Sequence, residues 1–165
     1  MQSYRRILTA VDLSSQGEKI VQHALNMARL CSAKLLVTHV VDYSTGFESD
    51  HFPFRTAREL HAELARAAEE KIRGMLQRLD ATGVEVRAAI GTAREAVMDL
   101  TAEWHADLVI VASYAPHGLQ DRAAPANPFD TLIVQMDAPH SVGRLARTLT
   151  DPLIRLWSQT FGARA

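Results

Sequence analysis

An open α/β fold built on a parallel sheet is what this sequence predicts, and three observations predict it. Short apolar runs suited to strands alternate with stretches whose apolar residues recur at helical spacing, in the order β-α-β-α-β-α-β. The S/T-x-x-E pattern that closes a helix's first turn stands ahead of two of the helical stretches. Several strand runs are almost continuously apolar, as strands covered on both faces are. Right-handed crossovers then place helices on both faces of one sheet.

The elements follow in order. Residues 4–12, YRRILTAVD, hold the first buried strand in the apolar run 7–11. Ser15 and Glu18 form the first S-x-x-E. The helix after it carries Ile20, Val21, Ala24, Leu25, Ala28 and Cys31 on one stripe, which makes Cys31 a packed core thiol. KLLVTHVV, 34–41, is the second strand, and 42–56, with Gly46 and Pro53, is a long loop. A helix over 57–80 presents Leu60, Leu64, Ala68, Ile72, Met75, Leu76 and Leu79, and Gly83 marks its end region. VEVRAAI, 84–90, alternates: Val84, Val86, Ala88 and Ile90 point one way, Glu85 and Arg87 the other. That suits a strand near the sheet edge with one wetter face. Thr92 and Glu95 repeat the capping pattern before a helix carrying Ala93, Val97, Leu100 and Trp104. Asp107 then precedes the fourth strand, 108–112.

At 165 residues, with 47% apolar and 22% charged residues, the chain suits one ordinary globular domain with a sizeable core. It has no tandem repeat, low-complexity tract or linker. A net charge of −1 gives no reason to expect nucleic acid or an anionic membrane as partner. The single cysteine, Cys31, excludes a disulfide within the chain and argues against a cysteine-based metal site. The opening MQSYRRILTAV is too short in its apolar part for a secretory signal, and no apolar run approaches the ~18 residues of a membrane span, so a cytoplasmic protein is expected.

Four pieces of sequence together resemble the universal stress protein family: ILTAVDLS, the strand end THVVD, the I-G-x-x-x-E turn from Ile90 to Glu95, and ADLVIVAS from Ala106 to Ser113. The resemblance covers roughly residues 4 to 118 in order. It implies a Rossmann-like, adenine nucleotide alpha hydrolase-like fold: five parallel strands, four helices, and a homodimer formed through the last strand. Some members bind ATP with G-x2-G-x9-G-[S/T] after the fourth strand, where glycines let backbone amides approach the phosphates. In those members an aspartate after the first strand and a backbone group at the end of the second hold the adenosine. The matching positions here are Asp12 and Val40.

The phosphate loop departs from that motif. Ala112 and Ala115 stand at the first two glycine positions, Pro116 removes a backbone donor, and glycine returns only at Gly118. The family's other branch lacks the motif, does not bind ATP and works as a dimeric stress-response factor; this chain is closer to that branch.

Two segments compete for the last strand. One is TLIVQM, 131–136. The other is 153–157, behind a helix over 141–149 in which Val142, Leu145 and Leu149 share a face, with Pro152 at a tolerated first position. The second keeps the family's helix-then-strand layout and is favoured. It places His140 and Ser141 at the G-[S/T] position, makes approximately 119–139 an insertion before the last helix, and leaves TLIVQM as an extra strand or hairpin arm within it. Residues 116–139 then separate the two halves of the cradle, far more than the motif's spacer.

Each candidate residue also has a plainer role. Asp12 contacts ribose or adenine, or it helps cap the first helix. Ser141 touches phosphate, or it is the last helix's N-cap. His39 lies in a strand as a hydrogen-bonded core histidine, and His61, His105, His117 and His140 show no metal-ligand spacing. Tyr114 and His117 either contact a ligand or pack. Arg155, within LIRLW, suits an exposed edge or a dimer seam more than a buried strand. No nucleophile–base spacing, Walker loop or G-x-S-x-G is present, so an enzyme is not expected.

These observations favour a non-enzymatic regulatory homodimer with no cofactor and an unknown protein partner. Two alternatives are an ATP- or AMP-binding sensor with 119–139 as a lid, and an adaptor for a membrane transporter.

Overall fold

The computed structural model describes residues 4–42, 56–113 and 129–136. They form β1 (Arg6–Ala10), α1 (Ser15–Cys31), β2 (Lys34–Val41), α2 (Ala57–Arg78), β3 (Glu85–Ile90), α3 (Ala93–Trp104), β4 (Leu108–Ser113) and β5 (Asp130–Gln135). The five strands make one sheet in the order β3-β2-β1-β4-β5, and every pairing is parallel.

Strand alternation divides the core in two. Ile7, Val37 and Ile110 face α1 and α2 and meet Ile20, Val21, Ala24, Ile72 and Leu76. Leu8, Leu36 and Val109 lie side by side on the opposite face, under Val97, Leu100 and Trp104 of α3. The two crossovers that step toward β3 carry α1 and α2 on one face, and the return to β4 carries α3 on the other. That is the arrangement right-handed crossovers require.

Local chemistry sets the helix ends. The N-cap of α1 is Ser14, one residue before the expected Ser15, and its hydroxyl accepts from the Gln16 and Gly17 amides. Glu18 therefore closes no capping box; it pairs with Arg78 of α2 at 2.7 Å. The full capping box belongs to Thr56 and Glu59 at the start of α2. Thr92 does precede α3, but its hydroxyl bonds the Glu95 carboxylate at 2.8 Å and no backbone amide. Cys31 is half-buried at the end of α1, with Sγ 3.9 Å from Met27 Sδ, so it borders the core and is not within it.

The strand starts are pinned by Asp107. Its carboxylate accepts from the Arg5 and Arg6 amides at 2.8 and 3.0 Å, and its carbonyl accepts from Asp130 N at 2.9 Å. Tyr4 donates its hydroxyl to Asp130 at 2.8 Å. The beginnings of β1, β4 and β5 are thus held together.

The favoured expectation for TLIVQM is corrected. The segment is no hairpin arm: it runs parallel to β4 with Ile110 opposite Leu132 and Ala112 opposite Val134. Burial explains the choice. Phe129, just before β5, joins the α3-side core, and Met136, just after it, joins the α1/α2-side core, each 7% exposed. Residues 141–149 and 153–157 lie outside the described residues.

Candidate functional site

In an open parallel sheet, ligands bind beyond the carboxyl ends of the strands, where the strand order reverses. Here that point lies between β1 and β4, because the chain moves from β1 toward β3 and then returns to β4. Asp12 follows β1, Val40 lies near the end of β2, and Ala112 near the end of β4, so the fold brings three predicted site residues to one rim. Ala10, Val40 and Val111, all half-buried, pack on the α3-side core and form an apolar shelf there. Ala112 instead packs with Val134 against the α1/α2-side core, which uses its methyl in packing. Ala115, Gly118 and Ser141, with Tyr114, His117 and Arg155, lie outside the described residues.

Asp12 is built into the turn between β1 and α1. Its Oδ1 accepts from the Ser14 hydroxyl at 2.6 Å and from Ser14 N at 3.3 Å. Ser14 Oγ in turn accepts from Gln16 N at 3.1 Å and Gly17 N at 3.4 Å. One hydroxyl thus donates to a carboxylate and satisfies two of the amides a helix start would otherwise leave unpaired. Gly17 is what lets α1 begin so close to the strand end. A Cβ at position 17 would lie 2.0 Å from the Asp12 carbonyl oxygen and 2.8 Å from its Oδ1.

The end of β1 is tied to β2 on the far side of this turn. Val11 N donates to the Thr38 carbonyl at 2.9 Å. His39 Nδ1 lies 2.8 Å from the Val11 carbonyl, which requires the ring proton on Nδ1. His39 is therefore hydrogen-bonded, as its place in a strand implies. Two buried atoms, Thr38 Oγ1 and Gln16 Oε1, have no hydrogen-bond partner among the described residues.

The sequence reading missed a second group of polar contacts, on the α3 face toward the sheet edge. Trp104 Nε1 donates to Glu85 Oε2 at 2.8 Å, and Arg87 bridges Glu85 and Glu103 at 2.6 and 3.0 Å. Arg6 donates to the Trp104 carbonyl at 2.7 Å and lies 5.5 Å from its ring centroid. The Trp104 hydrogen bond and the neighbouring Arg87 hold the Glu85 carboxyl below its ordinary value, against a smaller opposing effect of burial. This cluster fastens α3 to β3 and lies at the opposite end of β3 from the rim.

Among the described residues no three His, Cys, Asp or Glu side chains are grouped as metal ligands. No helix among them is long and apolar enough to cross a membrane.

The model of the universal stress protein family matches residues 3–124. Universal stress protein A homolog 1 of Coxiella burnetii is 23% identical over 116 residues, which are 70% of this chain and 81% of that protein. Among solved structures, a universal stress protein in complex with cAMP superposes with a TM-score of 0.52 at 22% identity, covering 81% of this chain and 98% of its own. The hypothetical protein MJ0577 superposes with a TM-score of 0.58 at 19% identity, covering 84% and 100%.

Proposed function

Given that this chain belongs to the universal stress protein family, we propose that it is a non-enzymatic, cytoplasmic regulatory protein that acts as a homodimer through its sheet edge and works without ATP. The observation that carries this reading is the commitment of the Asp12–Ser14 turn. A nucleotide at the rim would compete with this turn for the Asp12 carboxylate. Here Asp12 Oδ1 is taken by Ser14, and Ser14 takes two first-turn amides of α1. Ala115 and Pro116 add a sequence argument against a phosphate cradle after β4, since a methyl and a ring nitrogen stand where bare main chain is needed. The edge at β5 supports the homodimer: Leu132 and Ile133 are 37% and 44% exposed there.

A second reading, an adenine-nucleotide sensor, draws on the placement of Asp12 after β1, beside the point of strand reversal, and of Val40 near the end of the adjacent β2, and on the structural neighbour held with cAMP. Residues 129–136 are no part of a lid in that reading, because they belong to the sheet. Titration calorimetry with ATP and Mg²⁺, AMP and cAMP separates the two. The first expects millimolar affinity or none for all three. Micromolar affinity that Asp12→Asn abolishes overturns it, because Asn keeps an oxygen for Ser14 and removes only the charge.

A further inference from the structure

The outer edge of β3 holds a carboxylate where a neighbouring strand would pair. Gly91 N donates inward, to the Val41 carbonyl at 3.0 Å. Backbone polar groups alternate sides along a paired strand, so those of Val86 and Ala88 point outward. The Ala88 amide donates to Glu69 Oε1 of α2 at 3.2 Å. Arg73, one turn farther along α2, donates to Glu69 Oε2 at 2.8 Å. An edge amide and a guanidinium thus grip one carboxylate between them, and both donors are of the kind that recognise a free carboxylate. The Val86 amide has no partner among the described residues. Beside it a groove of about 390 Å³ opens between α2 and β3, lined by the apolar Leu76, Val84 and Val86 and by Arg73 and Gln77. A guard against strand addition would only have to cover the edge. Here the edge is covered at Ala88 and left open along the groove.

We propose that this edge binds the C-terminal end of an extended peptide of a partner protein, added parallel to β3, with its terminal carboxylate in the place that Glu69 occupies. Glu69 is then a built-in competitor that the peptide displaces. Parallel pairing fixes the register. The last peptide residue lies opposite Arg87: its N–H donates to the Val86 carbonyl, and its carboxylate accepts from Ala88 N and pairs with Arg73. The Val86 amide donates to the peptide carbonyl two residues earlier. Facing residues of neighbouring strands share a side of the sheet, so the last side chain falls with Arg87, away from α2. The side chain before it falls with Val86, over the groove, and is apolar for that reason. This edge and β5 are the two opposite ends of the sheet, so the peptide site does not depend on the homodimer seam.

The test is a titration of the full chain with acetyl-Lys-Val-Thr-Val-Thr ending in a free carboxylate, and with the same peptide ending in a carboxamide, followed by backbone amide NMR. The proposal expects saturable shifts of the Val86 and Ala88 amides with the acid. Glu69→Ala removes the competitor and should bind the acid at least about tenfold more tightly, because no charge-assisted hydrogen bond has to be displaced. The carboxamide should bind at least about tenfold more weakly than the acid, and Arg73→Gln in the Glu69→Ala chain should narrow that gap. Aspartate in place of the penultimate valine of the peptide should abolish binding. Should Glu69→Ala fail to fold, the gap between acid and carboxamide on the unaltered chain decides alone. Equal binding of acid and carboxamide overturns the proposal, as does no binding of the acid by either chain up to about 1 mM. Shifts confined to β5 overturn it too. So does association of Glu69→Ala chains that protects the Ala88 amide without peptide, since a second copy is then what the freed edge takes.

Discussion

Ser14 is the residue on which the rim depends most. Its hydroxyl links the Asp12 carboxylate to two α1 amides, so Ser14→Ala should cost about 1 kcal/mol in urea denaturation, the usual loss of a helix cap. Gly17→Ala should cost more, about 1–3 kcal/mol, because its methyl meets the Asp12 carbonyl oxygen most closely, and that backbone cannot swing away as the Asp12 carboxylate beside it could. Undiminished stability in the Gly17→Ala variant would mean that α1 starts farther from β1 than this geometry has it. Glu85 gives a pH-dependent counterpart. Its pKa is lowered in the folded chain from an ordinary 4.5, first by the Trp104 hydrogen bond and then by Arg87. Its contribution is present above 4.5 and is lost as pH falls through the lowered folded value. Trp104→Phe removes the donor and keeps most of the bulk. In a carboxyl-carbon NMR titration it should raise the Glu85 pKa toward the ordinary value; no change would assign the whole effect to Arg87.

At the scale of the element, β5 is the informative case. Its sequence has the β-branched character of a strand but no strict alternation, since it must bury a residue on each face at its ends and leave its middle at an edge. Phe129→Ala should cost about 3–5 kcal/mol, as truncation of a buried aromatic does, and should loosen β5 ahead of β1 in hydrogen exchange. Simultaneous loss of both strands would mean that β5 is integral to the cooperative core. The start of α2 shows how a local signal can be present without standing out. T-A-R-E at 56–59 is the same pattern as that at 15–18, yet it follows a loop whose end the apolar period leaves vague, so the sequence does not single out the true box. At 15–18 the pattern points one residue late, because adjacent serines both offer a cap and the structure gives the extended backbone a cap needs to Ser14.

For the whole molecule, light scattering on a sizing column should give the mass of a dimer at micromolar concentration. A monomer would remove the homodimer from the proposed function and leave the fold untouched. Most of the architecture is legible in the sequence, because burial on two faces writes itself into composition: Ile7 and Leu8, or Leu36 and Val37, are apolar neighbours facing opposite cores. The rim is legible in part. Asp12, Val40 and Ala112 lie at or near the carboxyl ends of neighbouring strands, but Val40 faces the α3-side core and the Ala112 methyl the α1/α2-side core, which no spacing announces.

The sequence by itself determined the alternation of strands and helices and the parallel sheet, since both follow from local period and order along the chain, and its four motifs carried the resemblance to the family. Tertiary structure alone decided that TLIVQM lies beside β4, that Trp104 reaches Glu85, and that Gly17 must leave room for Asp12. The reason is physical: strand neighbours and close approaches are contacts between residues whose meeting the local pattern does not encode. Their energies depend on which surfaces remain to be covered once every other element has packed.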